Sequence, residues 1–396
     1  MKQVILSLML GIALAYGPER LQAAEAMPTM GKKARVELGS AAAFAPDGQL
    51  LAVAKQGEHL MLYRSGDDGV TWSAPTVVNA RPEAISADGE NRPKLAFDAD
   101  GAVLVSWTQP LSRPFSGAIR LARTTDGSSF SEPITVHRDR NEITHRFESM
   151  VVAADSRVVL AWIDKRDLEA QKGDKKAYRG AAIYAATSRD GGRSFEPEQK
   201  VADHSCECCR IASALDSDGS PLFLWRHVFV PNERDHAIAR IGRDGRPEEV
   251  LRATFDRWKI DGCPHHGPSL AVDEAGNRHA VWFNQVGGGE GRVFYGRLPK
   301  KASDAVSAQR KIGEAGAAHA DLRVIGARVG IVWKQFDGER TQLKGEISED
   351  GGASFRAVDL AHSAGANDQP RLLAKGDRLF VFWRSELEGM RVFPLN

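Results

Sequence analysis

The chain is poor in cysteine, with only four among its 396 residues, and aromatic residues make up 7% of it. After residue 26 no uninterrupted apolar segment reaches the length that a membrane-spanning helix needs, so the sequence predicts no membrane span. Neither sign of charge is in excess, because 53 Lys and Arg face 52 Asp and Glu. A nucleic-acid partner is therefore not expected, since proteins that bind polyanions carry a basic surface.

The N-terminal 26 residues have the pattern of a secretory signal peptide. Met1-Lys2 supplies a positive start, residues 4–16 are largely apolar, and Ala24-Glu25-Ala26 has the small-x-small form of a cleavage site. No cysteine lies at that cleavage site, which argues against a lipid anchor there. We therefore expect residues 1–26 to be removed and residues 27–396 to form a single exported domain in the bacterial periplasm.

A repeat of apolar runs is the strongest pattern in the rest of the chain. Tryptophan lies near the end of six such runs, at Trp107, Trp162, Trp225, Trp282, Trp333 and Trp383, and a run around Ala54 forms a seventh without the indole. The runs recur roughly every 50–60 residues, with further short apolar stretches and Gly or Asp turns between them. Four-stranded units at this period predict an all-β protein, a β-propeller with one sheet per blade.

The repeat predicts seven blades, with six as the alternative if one terminal unit is degenerate. The last unit, residues 369–395, has sequence for only three strands. Residues 33–39 (KARVELG) are the candidate fourth strand, which would close the ring of blades.

A second repeat concerns turns with the pattern Ser-x-Asp-x-Gly-x-Ser/Thr-aromatic. Three full copies lie at residues 65–72, 188–195 and 348–355, and a copy one residue shorter lies at residues 124–130. In such a turn Asp accepts backbone hydrogen bonds and Gly adopts positive φ. These turns resemble the Asp-boxes, or BNR repeats, of the sialidase-like propeller superfamily. The resemblance implies that they are scaffold and lie away from the active site.

All four cysteines lie in two short segments, residues 204–210 (HSCECCR) and residues 261–268 (DGCPHHGP). When the units are aligned on their Trp strands, one column of residues enters the first strand of successive blades: Asn91, His145, Cys209, His266, His319 and Asp368. The first strands of a propeller converge on its axis, so we expect these side chains to meet at one mouth of the channel.

Cysteine and histidine in this number predict a metal site, because sulfur and imidazole are ordinary ligands of zinc and copper. The predicted ligands are Cys206, Cys208, Cys209, Cys263, His265 and His266, with His145 and His319 completing the site across the mouth. Copper is favoured over zinc, because copper is softer, and no organic cofactor is expected.

Structural disulfides are the main alternative, because exported cysteines usually pair. A bridge from Cys206, Cys208 or Cys209 to Cys263 would join adjacent blades. Cys208 and Cys209 are adjacent, with Cα atoms about 3.8 Å apart, below the usual disulfide range. In this case the protein would be a scaffold that binds partners, such as other periplasmic proteins, without catalysis.

A glycoside hydrolase acting on an acidic sugar is the other alternative. Sialidases clamp the substrate carboxylate with three arginines, and Arg92, Arg146 and Arg210 occupy matching positions in three successive units. The resemblance also implies an aspartate for acid/base work, with Asp164 and Asp167 as candidates, and a tyrosine nucleophile paired with a glutamate, with Tyr295 and Glu148 as candidates. The Arg-Ile-Pro signature of the family is missing, so a true sialidase is not expected. The paired CECC and CPHHGP segments resemble an uncharacterised group of exported bacterial sialidase-like proteins.

Overall fold

Every tryptophan-bearing run forms the second strand of an antiparallel sheet. The structure is a computed structural model that describes residues 36–153, 155–171, 179–285, 289–302 and 304–396. The predicted signal peptide lies outside these residues. Val36–Asn396 form one compact unit.

The strands follow one another along the chain in seven sheets, and each strand pairs with the next. The first three sheets contain Ser40–Phe44 (β1), Leu50–Gln56 (β2), His59–Ser65 (β3) and Thr76–Val77 (β4); Lys94–Phe97 (β5), Val103–Pro110 (β6), Gly117–Thr124 (β7) and Ile134–Thr135 (β8); and His145–Val152 (β9), Val158–Asp164 (β10), Ala181–Ser188 (β11) and Gln199–Ser205 (β12). The next two contain Ala212–Leu215 (β13), Pro221–Arg226 (β14), His236–Arg240 (β15) and Leu251–Arg252 (β16); and Ser269–Val272 (β17), Arg278–Asn284 (β18), Arg292–Leu298 (β19) and Ser307–Ile312 (β20). The last two contain Ala317–Ile325 (β21), Arg328–Phe336 (β22), Thr341–Ser348 (β23) and Arg356–Ser363 (β24); and Arg371–Lys375 (β25), Arg378–Ser385 (β26) and Gly389–Leu395 (β27).

The first strands of the seven sheets form a closed ring. Each of β1, β5, β9, β13, β17, β21 and β25 contacts the next in this order, and β25 contacts β1. The prediction of an all-β propeller is confirmed, and the number of blades is seven rather than six.

The hydrophobic core is divided into seven clusters, one between each pair of neighbouring sheets. Trp162, for example, packs with Leu104 and Leu121 of the preceding sheet. Between the last and first sheets, Phe380 and Phe382 pack on Leu50. Replacement of a buried tryptophan by alanine typically costs about 3–5 kcal/mol, so these indoles hold adjacent sheets together.

The prediction of a fourth strand for the last blade from residues 33–39 is not borne out by its described part. Residues 36–39 form no strand, and the last sheet has three strands. The amide of Gly39 instead donates to the carbonyl of Ala87, which precedes the second sheet. Closure of the ring within the described residues therefore depends on contacts between first strands and on side chains at the axis.

All four repeat turns join the third strand of a sheet to the fourth, and the three full copies share one set of hydrogen bonds, of which the shorter copy keeps the bond from Thr124 Oγ1 to Asp126 Oδ1. In the turn after β11, Ser188 Oγ donates to Asp190 Oδ1 at 2.7 Å and Ser194 Oγ donates to Asp190 Oδ2 at 2.6 Å. The amide of Ser194 also donates to Asp190 Oδ1 at 2.9 Å. The carboxylate thus ties both ends of the turn together.

One short helix, Arg166–Ala170 (α1), follows β10 among the described residues. No helix in this part of the chain is long and apolar enough to cross a bilayer.

Substitution of Asp190 by Asn tests how much the turns stabilise the propeller. Despite the opposing effect of burial, hydrogen bonds from Ser194 and Ser188 lower the pKa of Asp190 from 3.8 to about 2. The charged form is therefore bound more favourably in the folded state, and its contribution is present above pH 4 and lost as pH falls towards 2. We expect Asp190→Asn to lower the urea midpoint at pH 7 and to do so less at pH 3.

The matched control is Asp377→Asn, in the exposed hairpin turn between β25 and β26. Its midpoint should follow that of the unsubstituted protein at both pH values. A difference between Asp190→Asn and the unsubstituted protein that stays constant from pH 7 to pH 3 would contradict the assignment.

Candidate metal centre and the axial network

Three of the four cysteines converge at the entrance to the fourth blade. The Sγ atom of Cys206 lies 3.8 Å from that of Cys208 and 3.8 Å from that of Cys209, and the latter two are 4.0 Å apart. Their residues are 1%, 5% and 2% exposed. Among the described residues these thiols form the one group of three or more potential ligands close enough to hold an ion together.

Cys263 brings a fourth thiol from the next blade. Its thiol is near enough to those of Cys206 and Cys208 to affect their pKa values, but it lies outside the close group of three, and the residue itself is exposed. The two cysteine segments, which are separate in the sequence, therefore lie near each other in the structure.

Contacts among the thiols favour the ionised form of one of them, Cys206. The Cys208 thiol, followed by those of Cys209 and Cys263, donates to the sulfur of Cys206 and holds the pKa of Cys206 well below its usual range. The same contact with Cys206 is the largest cause that raises the pKa of Cys208. Arg234 Nη1 lies 3.9 Å from Cys206 Sγ, so a guanidinium faces the sulfur that carries the charge.

The three-cysteine segment is held at both ends by backbone hydrogen bonds. The amide of Cys206 donates to the carbonyl of Arg226 at 2.9 Å. The amide of Arg210 donates to Glu90 Oε2 at 2.9 Å. The sulfurs therefore belong to a short loop that is held between the end of β14 and a carboxylate from the second blade.

Glu90 joins the two cysteine segments to each other. Its Oε2 also accepts the amide of Gly267 at 2.8 Å, and its Oε1 accepts Arg210 Nη1 at 3.0 Å and Gln369 Nε2 at 2.8 Å. Burial raises the pKa of Glu90, but Arg210 and His319 outweigh it and hold the pKa well below its usual range. One ionised carboxylate thus fixes segments of the fourth, fifth and seventh blades.

A second buried ion pair joins the seventh blade to the first two. Arg92 forms a bidentate pair with Asp368, with Nη1–Oδ2 at 2.9 Å and Nη2–Oδ1 at 2.8 Å, and both side chains are 2% exposed. Ser40 donates its amide to Asp368 Oδ2 at 3.1 Å. This pair lies where the ring closes.

Two of the three arginines predicted to bind a substrate carboxylate are therefore paired with carboxylates of the protein itself. Arg92 pairs with Asp368, and Arg210 pairs with Glu90 and donates to the carbonyl of Ala320 at 2.7 Å. Arg146 stacks over the ring of Phe147 at 5.1 Å, and its Nε finds no partner. Two of the three guanidinium groups thus have carboxylates of the chain where a substrate carboxylate would bind.

His266 and His319 meet at the axis but not in the thiol cluster. Their rings stack with centroids 4.4 Å apart, and His266 also stacks on Phe283 at 3.9 Å. Burial lowers the pKa of His266 to about 3, and His319 Nδ1 lies 2.8 Å from Gln369 Nε2. The predicted ligand His265 is exposed beside Cys263 and has positive φ.

His145 lies apart from these groups, within the third blade. Its Nε2 is 3.7 Å from Asp164 Oδ2, its Nδ1 is 3.1 Å from the carbonyl of Gly117, and its ring stacks on His137. Asp164 is itself bound by Arg166 and by Trp162 Nε1. This histidine and the candidate acid/base Asp164 form a buried contact inside the blade.

The predicted column does not meet as a whole, because it combines different positions along the first strands. Asn91, Cys209, His266 and Asp368 each lie three residues before the partner of the residue that precedes the Trp. By the same count from Ser149 and Asp321, His145 lies one residue early in the third blade and His319 one residue late in the sixth.

The remaining enzymatic candidates lie in separate places. Tyr295 is fully buried in β19, its hydroxyl is 2.8 Å from His279 Nδ1, and it packs beneath Gly352. Glu148 accepts a hydrogen bond from Thr108, and burial raises its pKa.

The candidate Asp167 accepts a hydrogen bond from the hydroxyl of Tyr184 at 2.9 Å. The structure does not bring Tyr295, Glu148 and an aspartate into one constellation.

Glu90 and Arg234 are the residues of the site that the sequence analysis did not identify. Glu90 lies in the entry stretch of the second blade, one residue before the aligned column, so its position was visible but its role was not. Arg234 lies in the loop between β14 and β15, and no repeat marks it.

Comparisons with known proteins identify the fold alone. No family model matches the chain. No curated protein matches it either. Solved structures do match: a protein of unknown function from Dyadobacter fermentans has a TM-score of 0.54 at 13% identity, over 81% of this chain and 96% of that one.

An ulvan lyase of polysaccharide lyase family 25 has a TM-score of 0.55 at 12% identity, over 89% of this chain and 90% of that one. The NanB sialidase of Streptococcus pneumoniae has a TM-score of 0.48 at 10% identity, over 76% and 65%. The structural neighbours of this propeller thus include a polysaccharide lyase and sialidases.

Substitution of Asp368 by Asn tests the ion pair at the closure of the ring. The amide removes the charge that faces buried Arg92 and presents an N–H group to the donors of Ser40. We expect a loss of about 3–5 kcal/mol in the free energy of unfolding, because an uncompensated charge stays buried. Urea denaturation at pH 7 measures this loss.

The control is Glu349→Gln, which removes an exposed pair with Arg328. That pair should contribute less than about 1 kcal/mol. Equal effects of the two substitutions would show that the axial pair does not stabilise ring closure.

Proposed function

We propose that this protein is an exported propeller that binds a soft metal ion through Cys206, Cys208, Cys209 and Cys263. Copper is the favoured ion and zinc the alternative, because an all-sulfur set of ligands suits both. The imidazoles that the sequence analysis grouped with these thiols are not needed for the proposal.

The spacing of the three sulfurs supports this function. A tetrahedral ion with metal–sulfur bonds of 2.3 Å places its ligand atoms about 3.8 Å apart. The observed separations of 3.8, 3.8 and 4.0 Å match the edges of such a tetrahedron. A disulfide would need sulfurs about 2.05 Å apart.

The electrostatic surroundings also favour a thiolate cluster. Three buried thiolates without a cation would repel one another, whereas a bound cation offsets their charge. Arg234 lies on Cys206, and Arg226 contributes to the low pKa of that thiol. Both guanidinium groups act in the direction that metal binding requires, because the thiolate is the ligand.

The two alternatives have less support. One structural neighbour is an ulvan lyase, but two of the three arginines that a glycoside hydrolase would use already pair with carboxylates of the chain. The disulfide scaffold requires a sulfur pair to move together from 3.8 Å or more.

Metal analysis of the reduced protein tests the proposal. We expect one equivalent of Cu(I) or Zn²⁺ per chain after anaerobic loading and desalting, measured by inductively coupled plasma mass spectrometry. Cys208→Ser should lower the bound metal to below about a tenth of an equivalent, since it removes a buried ligand that sequence neighbours cannot replace.

The control is His145→Gln, which alters a buried histidine of the third blade that lies outside the thiol cluster. Its metal content should equal that of the unsubstituted protein. Four oxidised cysteines in protein from its native compartment, or an unchanged metal content in Cys208→Ser, would contradict the proposal.

A further inference from the structure

The four thiols of the cluster differ in accessibility. Cys206, Cys208 and Cys209 are almost fully buried, whereas Cys263 is exposed. In a structural zinc site four protein ligands fill every coordination position, whereas a catalytic site keeps one position open. Here Cys263 faces solvent and the other three thiols do not, so an incoming ligand can approach the site from the side of Cys263.

The backbone around the thiols shows the same difference. The three-cysteine segment is pinned at the amide of Cys206 and at the amide of Arg210. The Cys263 segment is pinned behind the cysteine, at the amide of Gly267, and ahead of it, where Asn232 Nδ2 contacts Asp261 Oδ1 at 2.6 Å. For residues 262–265, all within the described part of the chain, no backbone hydrogen bond is found.

The segment between these two anchors is therefore free to carry its thiol away while both ends stay in place. Gly262 has nothing but Ile260 near its Cβ position, so its surroundings leave room for such a movement. The three buried sulfurs have no comparable freedom, because their loop is short and held at each end.

We infer that Cys263 is the exchange ligand of the site, through which the ion passes to and from a thiol acceptor in solution or on another protein. This inference rests on the proposed metal-binding function. It assigns the ion as one that is passed to another molecule, and not as one that only stabilises the fold.

The exchange is a ligand substitution without a change in oxidation state. The incoming thiol loses its proton and its sulfur bonds to the ion, and the bond from the ion to Cys263 breaks. The Cys263 thiolate takes up a proton as it leaves. Three bonds to Cys206, Cys208 and Cys209 hold the ion until further thiols of the acceptor displace them.

Transfer kinetics test this role. The full chain, reduced and loaded with one equivalent of Zn²⁺, is mixed with an excess of the chromogenic chelator 4-(2-pyridylazo)resorcinol, with and without glutathione. Release from the unsubstituted protein should accelerate with glutathione concentration. Cys263→Ser should still bind about one equivalent but release it at least about tenfold faster, since a ligand and not merely its support is removed.

His265→Ala is the matched control, because this residue lies two positions after Cys263 and is also exposed but carries no thiol. Its release rate should stay within about twofold of the unsubstituted protein, well short of the change for a lost ligand. Circular dichroism of each variant confirms that the propeller is folded.

The outcomes separate this inference from the proposed function. A Cys263→Ser protein that loses all metal, as Cys208→Ser does, would mark a closed structural site and overturn the inference alone. Release at an unchanged rate would show that Cys263 is not a ligand and would also overturn it. Failure of the unsubstituted protein to hold any metal would overturn the proposed function together with this inference.

Discussion

A single buried carboxylate, that of Glu90, determines how the parts of this site lie relative to one another. It accepts two backbone amides, one from each cysteine segment, and two side-chain donors, one of them from the seventh blade. Because an ionised carboxylate this deeply buried is stable only when its lone pairs are filled, the four donors must all be present at once. The positions of the thiols are therefore a consequence of ring closure.

This arrangement also limits what the mouth of the propeller can do. Arg92 and Arg210, which could otherwise bind an acidic sugar, neutralise Asp368 and Glu90 and help to close a ring whose last sheet has three strands. A similar fold occurs in a polysaccharide lyase, but a fold does not by itself carry an activity. In this chain the charged side chains at the axis stabilise the fold, and the cysteine cluster lies beside the axis.

The repeat in the sequence was sufficient to predict seven blades and to place each Trp strand second in its sheet. It also predicted that the two cysteine segments would meet, because equivalent positions in adjacent blades are neighbours. It failed in the third and sixth blades. His145 lies one residue early and His319 one residue late relative to the other members of the aligned column, and a shift of one residue moves a side chain to the opposite face of its strand. His145 packs inside its blade with Asp164.

The sequence by itself determined the architecture, since hydrophobic periodicity and turn chemistry are local properties that repeat from blade to blade. It also determined which residues carry sulfur and that they lie in two neighbouring units. Only the tertiary structure decided which donors share a site: the separation of the three buried thiols from the stacked His266 and His319, and the pairing of Glu90 with partners more than a hundred residues away. Such contacts depend on side-chain direction at the axis, where seven strands meet and no local pattern records which neighbour a side chain will face.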